Sequence, residues 1–318
     1  AAPRLARAES TSPEHVLEPV GAGARLYADF AKQKIGAALR REFSNLQVET
    51  GVLAADPNSN SSEAPIAVVC QFPVGAREEI LELAHKLAWN FSRTALLITL
   101  EPHQLIAWSC CQHPKQSLEA RQVCTLPKAL GTSAISSAQQ QALHNLLHWV
   151  SLITGDLFKQ VPEKFSVEGR ADSLLLKNLK YIRRRLLNNK LQQDYCHDLL
   201  ARVIFTQFLF HRRDSDGKPF FDKPLLESRC GGSLSRVHDN LPSILSDKHE
   251  TYALFGWLDE KFNGDLFPGK ENQSKEERDR AWTDEKNAVT TSHLALLAKF
   301  VSGSLDVTDN QLTLWPQY

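Results

Sequence analysis

The run RADSLLLKNLKYIRRRLLNNKL, residues 170–191, decides how the second half of the chain is read. Leu175, Leu179, Ile182 and Leu186 recur at i, i+4, i+7 and i+11, so the run is predicted as an amphipathic helix with one packed face. Asp172 is expected to cap it. At about 100° per residue, Lys177, Lys180 and Arg184 gather on the opposite side. Arg183 and Arg185 flank them, and Lys190 follows. A cationic stripe of this kind suits phosphate contact, which is sequence-independent and salt-sensitive. A solvated helix face carries the same charges, and composition alone does not choose between the two.

The charge around this helix is uneven. Lys and Arg number 37 and Asp and Glu 37, a formal net charge of zero. Yet residues 170–213 hold ten basic residues against three acidic ones, and an acidic excess follows from 214 onward. A neutral total thus hides a basic middle, the footprint of a polyanionic partner. At 318 residues two domains are expected. Hydrophobic residues make up 42%, as in ordinary soluble globular proteins, and no apolar run reaches the length of a bilayer span. The start, residues 1–24, reads as a flexible leader without the apolar stretch of a secretory signal. Six cysteines with no Cys-x-x-Cys pair argue against a disulfide framework, and Cys110-Cys111-Gln112-His113 fits no standard zinc spacing. No metal site is expected, and the chain reads as reduced and cytoplasmic.

Beyond the opening helix, residues 197–213 are apolar almost all round, as in a helix central to a bundle. Helices are also expected over 250–267 and 291–303, the latter ended by Gly303, with a charged surface passage between them. Asp214-Ser215-Asp216-Gly217 has its glycine too early for a calcium loop and reads as a turn. Before 161 the pattern changes. A helix over 27–43 precedes strands over 46–55 and 66–72. A second helix over 77–91 precedes strands over 94–100 and 104–110, and residues 136–150 form a helix leading out. The expected fold class is therefore α+β, with an α/β module over 25–160 and an α-helical connector domain over 161–318.

The order helix, strand, strand, helix, strand, strand resembles the core of PD-(D/E)xK nucleases. In that family two carboxylates on neighbouring strands hold Mg²⁺ and a lysine polarises the attacking water. Here Cys70 and Gln71 stand where Glu and Lys are expected. Glu49 and Asp56 offer at most one carboxylate between them, so the module reads as a degenerate, nuclease-like α/β domain.

A second resemblance is more specific. LAHKLAWNFSRTALLITLEPHQLIAWSCCQHP is similar, at His85, Trp89, Asn90 and Pro102, to a stretch near the start of restriction–modification-type, type IIG-like, N6-adenine DNA methyltransferases. The same family's helical pattern is matched by Arg170, Asp172, Leu175, Asn178, Leu179, Arg183, Leu186, His197, Leu199, Arg202, Ile204, Phe205 and Leu209. FNGDLFPG (262–269) and QLTLWPQY (311–318) continue it in order. The resemblance is loose over 77–110 and close over 170–318, and the Tyr-Asn usual after the last strand is here Trp108-Ser109. It implies methyl transfer from S-adenosylmethionine to a flipped adenine, double-stranded DNA as partner, and a role in restriction–modification or phage defence. The Asn-Pro-Pro motif of that chemistry does not occur in these residues. The lone Gly-x-Gly, Gly21-Ala22-Gly23, lies in the leader. The chain is therefore expected to be the N-terminal, DNA-binding and scaffolding part of such an enzyme. S-adenosylmethionine then belongs to a C-terminal methyltransferase domain of the same polypeptide. The candidate DNA-binding residues are Lys177, Lys180, Arg183, Arg184, Arg185 and Lys190. Two alternatives stay open: an active Mg²⁺-dependent nuclease using Glu49 or Asp56, and a non-catalytic interaction scaffold.

Overall fold

The computed structural model describes residues 22–55, 64–127, 145–212, 238–262 and 274–305, with positions 219, 221, 226, 234 and 266. The chain forms two compact units that divide between Leu174 and Leu175.

The first unit is built on a five-stranded mixed sheet. It opens with helix α1 (Ala22–Phe30), a π-helical segment (Ala31–Gly36) and α2 (Ala37–Glu42). Strand β1 (Glu49–Leu53) pairs antiparallel with β2 (Ala67–Gln71). Helix α3 (Glu78–Phe91) then carries the chain across to β3 (Leu96–Leu100), which lies parallel to β2. Strands β4 (Gln104–Ser109) and β5 (Gln122–Pro127) complete the order β1-β2-β3-β4-β5, with the four-residue α4 (Leu118–Arg121) just before β5. Both central strands, β2 and β3, are buried along their whole length, so they read as unbroken apolar runs rather than as alternation. One face packs Val68, Cys70, Leu97 and Trp108 against Ile80, Ala84 and Leu87 of α3 and against Ile35 and Leu39. The other packs Ala67, Val69, Leu96 and Ile98 against Leu152 of α5 (Trp149–Thr154) and Leu157 of α6 (Asp156–Gln160). Gly36 is required where it stands: a Cβ there would meet Thr50 Oγ1 of β1 at 2.7 Å.

One element departs from the sequence expectation here. Strand β5 is not foreseen, because QVCTLP is short and ends in proline. The predicted helix over 136–150 lies mostly outside the described residues. The compact first unit also extends to Leu174, past the boundary expected at 160. The reason is a set of hydrogen bonds on the 3₁₀ turns at Pro162–Lys164 and Val167–Gly169. Trp89 Nε1 donates to the Gly169 carbonyl at 2.8 Å, Arg170 donates to the Ser92 carbonyl at 3.1 Å, and Gln112 donates to the carbonyls of Glu163 and Lys164.

The described residues of the second unit are mostly helical, with turns and with single β-bridge residues at Pro219 and Leu305. Helix α7 (Ala171–Asn188) begins within the first unit and continues into the second. It is followed by α8 (Gln193–His211), α9 (Leu241–Leu245), α10 (Lys248–Phe262), α11 (Lys275–Ala288) and α12 (Thr291–Ser302). Ile182 and Leu186 of α7, Leu199 and Val203 of α8, Phe255 and Leu258 of α10, and Leu297 and Phe300 of α12 meet in one core. Asp172 is not the cap of α7. The helix already includes Ala171, and the Asp172 carboxylate instead takes both Arg170 nitrogens, Nε at 3.1 Å and NH2 at 3.0 Å. The charged passage before α12 is the helix α11, started by a capping box between Ser274 and Glu277. Gly303 ends α12 in the left-handed conformation, φ 73°, as its position after the last apolar residue predicts. Most of FNGDLFPG and all of QLTLWPQY lie outside the described residues.

Candidate nucleic-acid interface

On α7 the buried side chains are Asn178, Ile182 and Leu186. The opposite face carries Lys177, Lys180 and Arg184, all exposed. No ion pair or hydrogen bond joins these three side chains to any described residue. Between Asp172 and Asp194 the sequence has no acidic residue to neutralise them. Arg183 is half-buried and donates through Nε to His197 Nε2 of α8 at 2.8 Å. That bond turns its guanidinium toward the neighbouring helix. Arg185 is exposed but bonds Tyr181 Oη at 3.0 Å and lies over the Tyr181 ring, 5.8 Å from its centre. Lys190 is exposed in the turn after the helix, at φ 66°. The six candidates thus separate into three unengaged cations on one face, two engaged arginines and one turn lysine. His197 carries no local signal as a partner of Arg183, since the two stand 14 residues apart.

The strand positions that would hold a nuclease site are differently furnished. Glu49 begins β1, exposed, in register with Gln71 of β2. Asp56 lies outside the described residues. Cys70 and Gln71 are buried, and burial alone pushes the Cys70 thiol up to about 12, so it offers neither a thiolate nor a carboxylate. Among the described residues no group of three His, Cys, Asp or Glu side chains could hold a metal ion. The described residues at these strand positions do not fit a catalytic Mg²⁺. Nor does the described turn from β2 into α3 fit S-adenosylmethionine. The turn from β2 into α3 has the single glycine Gly75, and the helix opens on Glu78 and Glu79 rather than on a glycine loop.

His85 and Trp89 lie on α3 and serve the interior. His85 Nε2 lies 2.8 Å from the Ser109 carbonyl, an acceptor, which places the ring proton on Nε2 and leaves Nδ1 to accept from Arg121 at 3.2 Å. Burial, together with the Arg121 charge, lowers the His85 pKa to about 4 despite the Ser109 bond. The ring is therefore a neutral structural link. Arg121 itself is buried and reaches the exposed Glu82 at 3.4 Å. The stretches around Trp89 and Arg170, far apart in sequence, meet through the Trp89–Gly169 and Arg170–Ser92 bonds.

No protein-family model, curated protein or solved structure matches this chain. Among the described residues no helix is long and apolar enough to cross a membrane.

Proposed function

We propose that this chain is the DNA-gripping and scaffolding part of a site-specific N6-adenine DNA methyltransferase of the restriction–modification type. In this reading a separate domain supplies the methyl-transferring pocket and its S-adenosylmethionine. The observation that carries DNA binding is the stripe of Lys177, Lys180 and Arg184, exposed and without a carboxylate partner among the described residues. From Lys177 to Arg184 a helix rises about 10 Å. That is the axial reach of about three phosphates on one strand of duplex DNA. Cations left unneutralised over such a length favour a polyanion over mere solvation, since an exposed stripe with no partner gains little in water. The enzyme class rests on the ordered sequence motifs. The first unit is, in the same reading, a nuclease-like module without a nuclease site. The strand–helix–strand crossover from β2 through α3 to β3 supports that assignment, as do the buried Cys70 and Gln71.

The test is the triple change Lys177→Ala, Lys180→Ala, Arg184→Ala in the 318-residue chain, read by fluorescence anisotropy on duplex DNA over a salt series. The slope of log K against log salt is expected to flatten by about 0.9 for each phosphate no longer neutralised, so by about 2.7 for three. Unchanged affinity and slope would make the stripe a solvated face. Mg²⁺-dependent cleavage abolished by Glu49→Gln would instead establish the nuclease reading.

A further inference from the structure

The cationic stripe does not end at Arg184. Asn188 lies four residues on, at nearly the same angle around α7, so Lys177, Lys180, Arg184 and Asn188 form one continuous exposed line. The chain then turns sharply. Lys190 takes the left-handed conformation, and the Lys190 and Leu191 amides donate to the carbonyls of Leu187 at 2.9 Å and Leu186 at 3.2 Å. Leu191 is buried in the helical core, and His293 of α12 lies with Nε2 2.9 Å from the Asn189 carbonyl. His293 is itself buried and set by the Thr290 capping box. The turn is thus held from within by an apolar anchor and a hydrogen bond, and what it shows to solvent is pre-organised.

Beside the exposed Lys190, what it shows is amide. Asn188, Gln192 and Gln193 are all exposed, and no described residue hydrogen-bonds their side chains. Gln192 stands at the N-cap of α8 without its side chain capping that helix. A planar carboxamide offers a donor and an acceptor side by side, the pattern that pairs with N6 and N7 of adenine in the major groove. A cation addresses phosphate instead. Asp194, exposed beside these amides, offsets the charge of the exposed Lys190, so the turn carries no net positive charge while the helix stripe does.

We infer that Asn188, Gln192 and Gln193 read adenine edges in the major groove of the duplex whose phosphates the α7 stripe grips. The assignment rests on the DNA reading of that stripe. It is tested by selecting bound duplexes from a random library with the 318-residue chain, then with Asn188→Ala, Gln192→Ala, Gln193→Ala, and with the stripe variant. The unaltered chain should enrich adenine at one position or more. The amide variant should lose that preference by about 5- to 150-fold, the worth of one bidentate pairing with a base, while keeping the salt slope. Replacing the selected adenine by 7-deazaadenine should weaken the unaltered chain alike and leave the amide variant unmoved. If the stripe variant binds like the unaltered chain, the DNA reading fails and this one with it. If the stripe variant is weakened but the amide variant keeps full preference, or the unaltered chain enriches no base, the amide assignment alone is overturned.

Discussion

Glu285→Ala tests the interior of the helical unit most directly. Arg202 of α8 is fully buried and pairs with Glu285 of α11, which is 1% exposed. One guanidinium nitrogen holds Glu285 Oε1 and the other Oε2 at 2.9 Å, while Nε donates to the Leu266 carbonyl at 2.9 Å. Tyr252 Oη donates to the same carboxylate at 3.0 Å, and burial together with that carboxylate pushes the tyrosine hydroxyl well above its usual range. Removing Glu285 takes the bidentate carboxylate from a buried cation, while Asp198, half-exposed and 3.9 Å away, stays beside it. Breaking one side of a buried pair costs about 3–5 kcal/mol. The Asp198 carboxylate and the Leu266 bond hold the effect to the lower end, about 3 kcal/mol, or about 6–12 °C in the melting transition of a unit this size. Urea unfolding followed by far-UV circular dichroism measures it. The double change Arg202→Met, Glu285→Leu removes both charges and should be less destabilising than Glu285→Ala, the remaining cost coming from the Tyr252 hydroxyl and the Leu266 carbonyl left without these partners. A loss below about 1 kcal/mol for Glu285→Ala, or a double variant as unstable as the single, would refute the reasoning.

Two further outcomes concern the first unit. A Cβ at residue 169 would collide with the Cys111 carbonyl oxygen, a backbone atom that cannot swing aside, so Gly169→Ala should destabilise by about 1–3 kcal/mol in denaturant unfolding. The His85 pKa is lowered from 6.5 to about 4 in the folded chain, so its contribution to stability is present above pH 6.5 and lost as pH falls toward 4. That loss reaches about 3 kcal/mol at the acid end. His85→Gln should flatten this stretch of the stability–pH curve, and a curve of unchanged shape would show that the ring does not stay neutral.

Periodicity carried much of the architecture because it reports burial directly. Leu175, Leu179, Ile182 and Leu186 at helical spacing mark the packed side of α7, and the apolar runs of β2 and β3 mark strands covered on both faces. It failed where apolar content was low. Helix α11 is charged along nearly its whole length, so only its capping box and the buried Glu285 distinguish it from a loop. For the candidate interface the stripe's angle was readable from spacing. Which cations are engaged was not, since the Arg183–His197 bond joins different helices.

The sequence by itself determined the α+β class, the helical face of α7 and the clustering of charge between 170 and 213. These follow from spacing and residue type, which act over one or two turns of chain. Only the tertiary structure decided that the 161–174 segment belongs with the sheet, that Lys177, Lys180 and Arg184 have no ion-pair or hydrogen-bond partner among the described residues, and that Arg202 and Glu285 bond each other inside the core. Each depends on groups distant in sequence, whose desolvation and hydrogen bonding exist only once the chain has brought them together.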